Sequence, residues 1–214
     1  MATMHPGQLR LSSEDSFIGA GGFKTAYTAT LLLSKLTQTG IGSQPCENIV
    51  AKRPYIRQGK ICGPPWRCLA VKEESEKLFC EANVLYWAKS LFQVVEDFVA
   101  NALANAVVAP QFNIPSMQFV NASLAFRYST RPTRGSRAPS VDCTYLCEEE
   151  IKDAKNLFMK FIHNSNCVPL VLPSEFGYDV AEFLAFSQHV QYIKTGGLAY
   201  ISNYQGIFFR TVLY

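Results

Sequence analysis

The sequence predicts an α+β fold with two lobes. Strand-like segments come first, a long stretch without glycine or proline follows, and strand-like segments return before a second mixed region. Blocks of strands and helices in this order are typical of α+β proteins. The 214 residues, of which 48% are hydrophobic and 17% charged, are enough for one large domain or for two lobes sharing a cleft.

The N-terminal region predicts three strands. Residues 16–34 alternate in polarity around a glycine cluster, which is typical of a β-hairpin. The segment ENIVAKRPY predicts a third strand that ends at Pro54, because proline cannot donate a hydrogen bond to a sheet. The Gly63-Pro64-Pro65 sequence then predicts a loop within IRQGKICGPPWRCL.

A long helix is predicted next, over residues 72–109, which contain neither glycine nor proline. Apolar residues recur there at three- and four-residue steps, so the segment forms one amphipathic helix or two in tandem. Glu73, Glu74 and Glu76 lie in its first turns, where the helix dipole favours anions. We expect Glu81 or another glutamate of this helix to pair with Lys52; the alternative is that the glutamate is solvated on the polar face of the helix.

The remaining sequence predicts strands at SMQFVNASLAFRY and DCTYLCEEE, a second amphipathic helix at DVAEFLAFSQHVQYI, and strands at LAYISNYQG and IFFRTVLY around a tight turn. A polar loop between the first two strands carries Arg127, Arg131, Arg134 and Arg137. We interpret it as a solvated connector rather than a phosphate or nucleic-acid patch, because it lacks interleaved aromatic residues beyond Tyr128. The predicted division is residues 1–147 as an N-terminal lobe of strands plus the long helix, and residues 148–214 as a crossing segment and C-terminal lobe.

Composition limits the partners. The net charge of +3 is too small to indicate nucleic acid, and we predict no nucleic-acid partner. No apolar run approaches the roughly 18 residues of a membrane span, and we predict no membrane partner. The first residues lack the apolar core of a secretory signal, which predicts a cytoplasmic protein with reduced thiols. The seven cysteines lack the CxxC spacing of common zinc sites.

The segment GAGGFKTAYTATL, residues 19–31, carries the first functional motif. Its glycines would allow the backbone to approach a phosphate, or they would serve a hairpin turn that needs positive φ angles. Lys52 in NIVAKRPY would hold phosphates as a point charge in a cleft, or it would be solvated on an edge strand. Neither motif alone decides between these alternatives.

Taken together, several segments resemble the alpha-type protein kinases, an atypical Ser/Thr kinase family, and are most similar to its fungal members. The resemblance runs from about residue 14 to the end and is carried by GAGGFKTAYTATL, VAKRPY, YLCEEEI, KFIHNSN, DVAEFLAFSQHVQY and GGLAYISNYQG. His189 lies fourteen residues before Asn203, and NYQG stands where the family has D-x-Q-G.

The resemblance implies a two-lobed kinase-like fold, ATP and Mg²⁺ as cofactors, and a protein substrate phosphorylated on serine or threonine. It implies a phosphate loop at Gly19, Gly21 and Gly22, with Lys24 at a position where the family often has a phosphate-contacting arginine. Lys52 would contact phosphate, and Glu148 is our choice among Glu148–Glu150 for the adenine hinge. Asn203 and Gln205 would hold Mg²⁺, and His189 matches the family's first zinc ligand.

The chain departs from the family pattern in two respects. Asn203 replaces the family's catalytic aspartate, and an amide oxygen brings no negative charge to a hard cation. The family's later T-D-P segment and His/Cys zinc cluster do not occur before Tyr214, so we expect an incomplete C-terminal lobe and an incomplete zinc site. His189 would then be a core or interface residue. The alternative functions are an impaired kinase that binds nucleotide or protein, and an unrelated α+β interaction domain.

Overall fold

The computed structural model describes residues 4–11, 16–57, 66–129, 140–151, 158–207 and 212–213. The elements in chain order are β1 (Gly7–Leu11), β2 (Phe17–Ala20), β3 (Lys24–Leu33), β4 (Glu47–Arg57), β5 (Trp66–Cys68), α1 (Val71–Ala104), β6 (Gln118–Phe119), β7 (Ala122–Tyr128), β8 (Val141–Glu149), β9 (Phe158–Lys160), α2 (Tyr178–Lys194), β10 (Gln205–Ile207) and β11 (Val212–Leu213). The predicted α+β class is confirmed. No helix within these ranges is long and apolar enough to cross a bilayer.

The chain divides into two compact units. The first comprises Met1–Val84 and Asn121–Glu150, and the second comprises Leu85–Val120 and Ile151–Tyr214. The sequence-based division kept the whole predicted helix with residues 1–147. In the structure α1 is a single helix that ends at Ala104, and its residues contribute to both units.

The first unit is built on a curled antiparallel sheet. Its main path is β1-β3-β4-β8-β7, while β2 pairs with β3 and β5 pairs with β4. Strand β4 is central to this arrangement, and its Lys52 lies opposite Ala26 of β3 and Leu146 of β8. Because side chains alternate along a strand and directly opposite residues share a face, this register decides which face each charged residue occupies.

The two faces of the sheet differ in character. Helix α1 covers the face that carries Thr144, since Ser75 Oγ lies 2.8 Å from Thr144 Oγ1 and the rings of Phe79 and Phe126 are 6.2 Å apart. By register, Lys24, Lys52 and Glu148 belong to this same face. The opposite face holds an apolar cluster of Ala29, Leu31, Ile41, Ile49, Ala51, Cys143, Tyr145 and Cys147.

A fully buried carboxylate attaches the start of α1 to the sheet. The Glu74 side chain is 0% exposed, and its Oε2 accepts a hydrogen bond of 2.6 Å from Arg53 Nε. Its Oε1 accepts a second bond of 2.6 Å from the backbone N–H of Thr144. One helix residue therefore contacts both β4 and β8, and both carboxylate oxygens are satisfied, as a buried charge requires.

Strand β4 corrects the prediction that it ends at Pro54. It continues to Arg57, and Pro54 pairs with Lys24. Residues 49–52 of β4 pair with β8 and residues 55–57 pair with β5, so Pro54 falls between two partners where no N–H is needed. The predicted loop after it is partly wrong, because Trp66–Cys68 forms β5; residues 58–65 lie outside the described ranges.

The second unit contains α2 and a four-stranded sheet in the order β6-β11-β10-β9. Its core consists of Phe92, Met117, Phe119, Phe161, Ile162, Val171, Val180, Ala181, Leu184 and Tyr204. The predicted strand LAYISNYQG is wrong over most of its length, because strand structure begins only at Gln205. Asn203 has a φ of 62°, which interrupts an extended conformation just before that point.

Glu74→Ala is expected to destabilise the protein by about 3–5 kcal/mol, because it leaves Arg53 and a buried backbone N–H without their partner. Urea denaturation measures the change in unfolding free energy. Glu73→Ala is the matched control: Glu73 is half exposed and 3.6 Å from Lys77, so the change should stay within about 0.5 kcal/mol. Equal losses in the two variants would contradict the anchoring role.

Candidate functional site

Lys52 and Glu148 form an ion pair between the neighbouring strands β4 and β8. Lys52 Nζ donates a hydrogen bond of 2.5 Å to Glu148 Oε2. The Glu148 side chain is 4% exposed and that of Lys52 is 20% exposed. The next glutamate, Glu149, accepts hydrogen bonds from the backbone and side-chain nitrogens of Asn121. Glu148 is thus the glutamate beside the lysine, a role different from the adenine hinge that the resemblance implies for it.

Lys24, at the start of β3, forms a second ion pair with Glu81 of α1. Both side chains are partly exposed, at 25% and 34%. Burial lowers the pKa of Lys24 to about 8; the positive charge of Lys52 adds to this effect, and Glu148 partly opposes it. From the sequence we expect Glu81 of the helix to pair with Lys52. In the structure Glu81 pairs with Lys24, and Lys52 pairs with Glu148 of β8 instead.

Lys24, Lys52, Glu81 and Glu148 will be called the Lys–Glu quartet. Its two ion pairs differ in how easily they separate. Partly exposed pairs contribute about 0–1 kcal/mol, so Lys24–Glu81 costs little to open. Removing one partner of a buried pair costs about 3–5 kcal/mol, so Lys52–Glu148 is far harder to open.

Gly21 and Gly22 connect β2 and β3, whereas Gly19 belongs to β2, next to a shift in its register with β3. The Gly21 N–H donates a 2.8 Å hydrogen bond to the Lys24 carbonyl oxygen, and the Tyr55 hydroxyl donates to the Gly21 carbonyl oxygen. None of Gly19, Gly21 and Gly22 has a φ in the left-handed region. An added Cβ would meet no atom within 4 Å at Gly19 or Gly22, and at Gly21 only the Lys24 carbonyl oxygen at 3.8 Å.

None of these three glycines is therefore required by a positive φ angle or by close packing. Gly42 shows the contrast, since its φ is 86° and an added Cβ would lie 2.3 Å from a Leu33 methyl carbon. The alternative in which the cluster serves a positive-φ hairpin is wrong for Gly19, Gly21 and Gly22. Glycine is also used where a bound group approaches the backbone so closely that a side chain would be in the way.

The second unit contains Asn203 and Gln205. Asn203 Oδ1 is buried and has no hydrogen-bond partner among the described residues. Gln205 begins β10 and lies opposite Lys160. An acceptor oxygen without a donor fits a cation or a hydrogen-bond donor, although no carboxylate charge comes with it.

Two buried glutamines of α2 hold the segment before Asn203. Gln191 Oε1 accepts a 2.8 Å bond from the Ile201 N–H, and its Nε2 donates a 3.0 Å bond to the Tyr204 hydroxyl. Gln188 Nε2 donates a 2.7 Å bond to the Ile201 carbonyl oxygen. We did not single out these residues from the sequence. The available signal was a pair of amides three residues apart within an otherwise apolar helix face.

His189 lies on α2 with an exposed side chain, which excludes the core position considered above. Within the described part of the chain, no three or more His, Cys, Asp or Glu residues come close enough to hold a metal ion. The described residues thus do not fit the zinc site that the resemblance implies.

The first unit brings together Gly21, Lys24, Lys52 and Glu148, all named from the sequence. Two ammonium groups, each paired with a carboxylate, and a glycine turn with open space at Gly22 are groups that a polyphosphate could contact. Comparisons of the chain with protein-family models, curated proteins and solved structures return no match.

Lys24 is expected to react with an acylating reagent at pH 8 before the exposed Lys72 does. Roughly half of its side chains are then the free amine, against less than about 1% for a lysine with the ordinary pKa of 10.5. Limited acetylation followed by peptide mass spectrometry measures the order of modification. Lys72, whose side chain is 88% exposed, is the control. Modification of Lys72 before Lys24 would contradict the lowered pKa, and unfolding in urea should abolish the difference.

Proposed function

We propose that the first unit binds ATP and that the chain is an alpha-type protein kinase, which transfers the γ-phosphate to serine or threonine of a protein. One observation carries the nucleotide site. Gly21 and Gly22 have no positive φ and have open space at their Cβ positions, and the Gly21 N–H bonds the Lys24 carbonyl oxygen at the start of β3. An approaching phosphate supplies the reason that the fold itself does not.

The surrounding groups support this assignment. Lys24 and Lys52 are the cations that would contact phosphate oxygens, and Lys52 is fixed by Glu148. Kinases in general hold their phosphate lysine with a glutamate. Here that glutamate comes from strand β8 rather than from a helix, so a rigid sheet orients the ammonium group.

Mg²⁺ would be held by Asn203 and Gln205, according to the resemblance. When bound, the ion would neutralise charge on the phosphates, on which phosphoryl transfer strongly depends. Asn203 contributes a buried oxygen that has no donor among the described residues, but it does not contribute a carboxylate. This observation favours a second candidate function, a module that binds nucleotide and transfers phosphate poorly or not at all.

Gly22→Ala tests the nucleotide site. The unfolding free energy should change by less than about 1 kcal/mol, because the φ angle is accessible to alanine and the space is open. The affinity for MgATP, measured by calorimetry, should fall about tenfold, because the methyl group separates phosphate from backbone, at a cost comparable to one hydrogen bond.

Gly42→Ala is the matched control, since its positive φ and its contact with Leu33 should lower stability by more than 1 kcal/mol. Its folded fraction should bind MgATP as the unchanged chain does. If the unchanged chain, shown to be folded, does not bind MgATP, the proposed site is wrong. If the Gly22→Ala variant binds MgATP with unchanged affinity, the glycine turn between β2 and β3 does not contact the nucleotide.

Transfer is tested with γ-labelled ATP and a basic protein as acceptor. The control is the double variant Lys52→Met/Glu148→Gln, which removes both charges together and so avoids an isolated buried charge. Transfer by the unchanged chain that is lost in the double variant supports the kinase. Binding of MgATP without transfer supports the nucleotide-binding module instead.

Asn203→Asp tests the metal position without requiring activity. A buried carboxylate without a partner should lower the melting temperature in EDTA, because the charge is desolvated. Added Mg²⁺ should raise the melting temperature of this variant more than that of the unchanged chain, because Mg²⁺ prefers carboxylate ligands. NaCl at equal ionic strength is the control. Equal responses of the two proteins to Mg²⁺ would argue against a metal at this position.

A further inference from the structure

The Lys–Glu quartet has a property that a phosphate site has to overcome. Its two ammonium groups are each matched by a carboxylate, so the fully ionised quartet is neutral. An anionic ligand gains little from a neutral cluster, and it is repelled by any carboxylate that stays beside it. A phosphate group can therefore bind well only if one of the two carboxylates gives way.

The two carboxylates are held very differently. Glu148 is 4% exposed, lies on a strand between β4 and β7, and pairs with Lys52 at 2.5 Å. Glu81 is 34% exposed and extends from helix α1. Rotating the side chain of Glu81 is enough to return its carboxylate to water. Glu148 cannot reach water without disrupting the packing of the sheet.

We infer that Glu81 is an internal competitor that occupies Lys24 until a polyphosphate group displaces it, while Lys52 keeps Glu148. The inference rests on the proposed nucleotide site and adds to it a residue that sets the threshold for binding. Displacement of Glu81 changes the charge of the remaining three groups to +1. A ligand with several adjacent phosphate charges then replaces the carboxylate on Lys24, whereas a singly charged anion offers no more than Glu81 already does.

The exchange also involves the protonation state of Lys24. Among the described residues, the charged groups that face this amine are Lys52 of β4, Glu148 of β8 and Glu81 of α1. Phosphate favours the ammonium form, so binding near pH 8 should be accompanied by proton uptake. Calorimetry in two buffers with different ionisation enthalpies measures this uptake.

Glu81→Gln is the test variant, and MgATP and inorganic tripolyphosphate are the probes. Loss of the competing charge should make both bind about fivefold more tightly to the 214-residue chain, the scale of a partly exposed ion pair. Glu76→Gln is the control, because it removes the same charge from the same helix at a 65% exposed side chain. It should leave both affinities unchanged.

A second pair of variants separates competition from a general charge effect. Lys24→Met should weaken binding, and the gain from Glu81→Gln should disappear when Lys24→Met is also present, since the two residues then have nothing to compete for. Thermal unfolding of each variant verifies that it is folded. A gain of equal size with and without Lys24 would overturn the inference.

The outcomes distinguish this inference from the proposed function. If the unchanged chain binds MgATP and Glu81→Gln binds it equally or more weakly, the competitor role is wrong and the nucleotide site stands. If neither folded protein binds either probe, both are wrong. Tighter binding by Glu81→Gln alone, absent in Glu76→Gln, supports both.

Discussion

The buried carboxylate of Glu74 is the constraint on which the first unit depends. It contacts a side chain of β4 and a backbone N–H of β8, so the position of α1 is fixed relative to both central strands by one residue. The helix is thereby placed over the face that carries the charged residues. About two turns further along, the same helix brings Glu81 to Lys24. A polar contact in the interior thus determines which carboxylate is available at the candidate site.

The strand register separates charge from core. Residues of β4 alternate between the two faces, so Ile49 and Ala51 join the apolar cluster while Lys52 faces α1. The charged face is covered by a helix rather than exposed to solvent, and this burial gives Lys24 its lowered pKa. The sheet supplies rigidity, the helix supplies desolvation, and the glycine turn supplies open backbone at the edge.

Sequence patterns predicted the parts of the fold that depend on local periodicity. The α1 helix, the second helix and strand β8 follow from spacing and composition, whereas Lys24 and Glu148 are indicated only by the resemblance and not by any local pattern. Patterns could not assign Glu81 to Lys24, because that choice depends on how far along the sheet the helix lies. They also gave the wrong end for β4, since whether a proline is tolerated depends on which neighbours lie beside it. The left-handed backbone conformation of Asn203 could not be predicted either, because asparagine occurs in both strands and turns.

The 96 residues that separate Lys52 from Glu148 have a consequence for synthesis on the ribosome. Strands β3 and β4 are complete once residue 57 has emerged, and α1 can form from local contacts alone. Until β8 is made, β4 remains an edge strand and Lys52 lacks the carboxylate that will hold it. A nascent chain therefore spends this interval with an unpaired sheet edge, a state prone to intermolecular pairing. Lys52 then places a positive charge on this temporary edge, and charged residues on an edge strand disfavour such pairing.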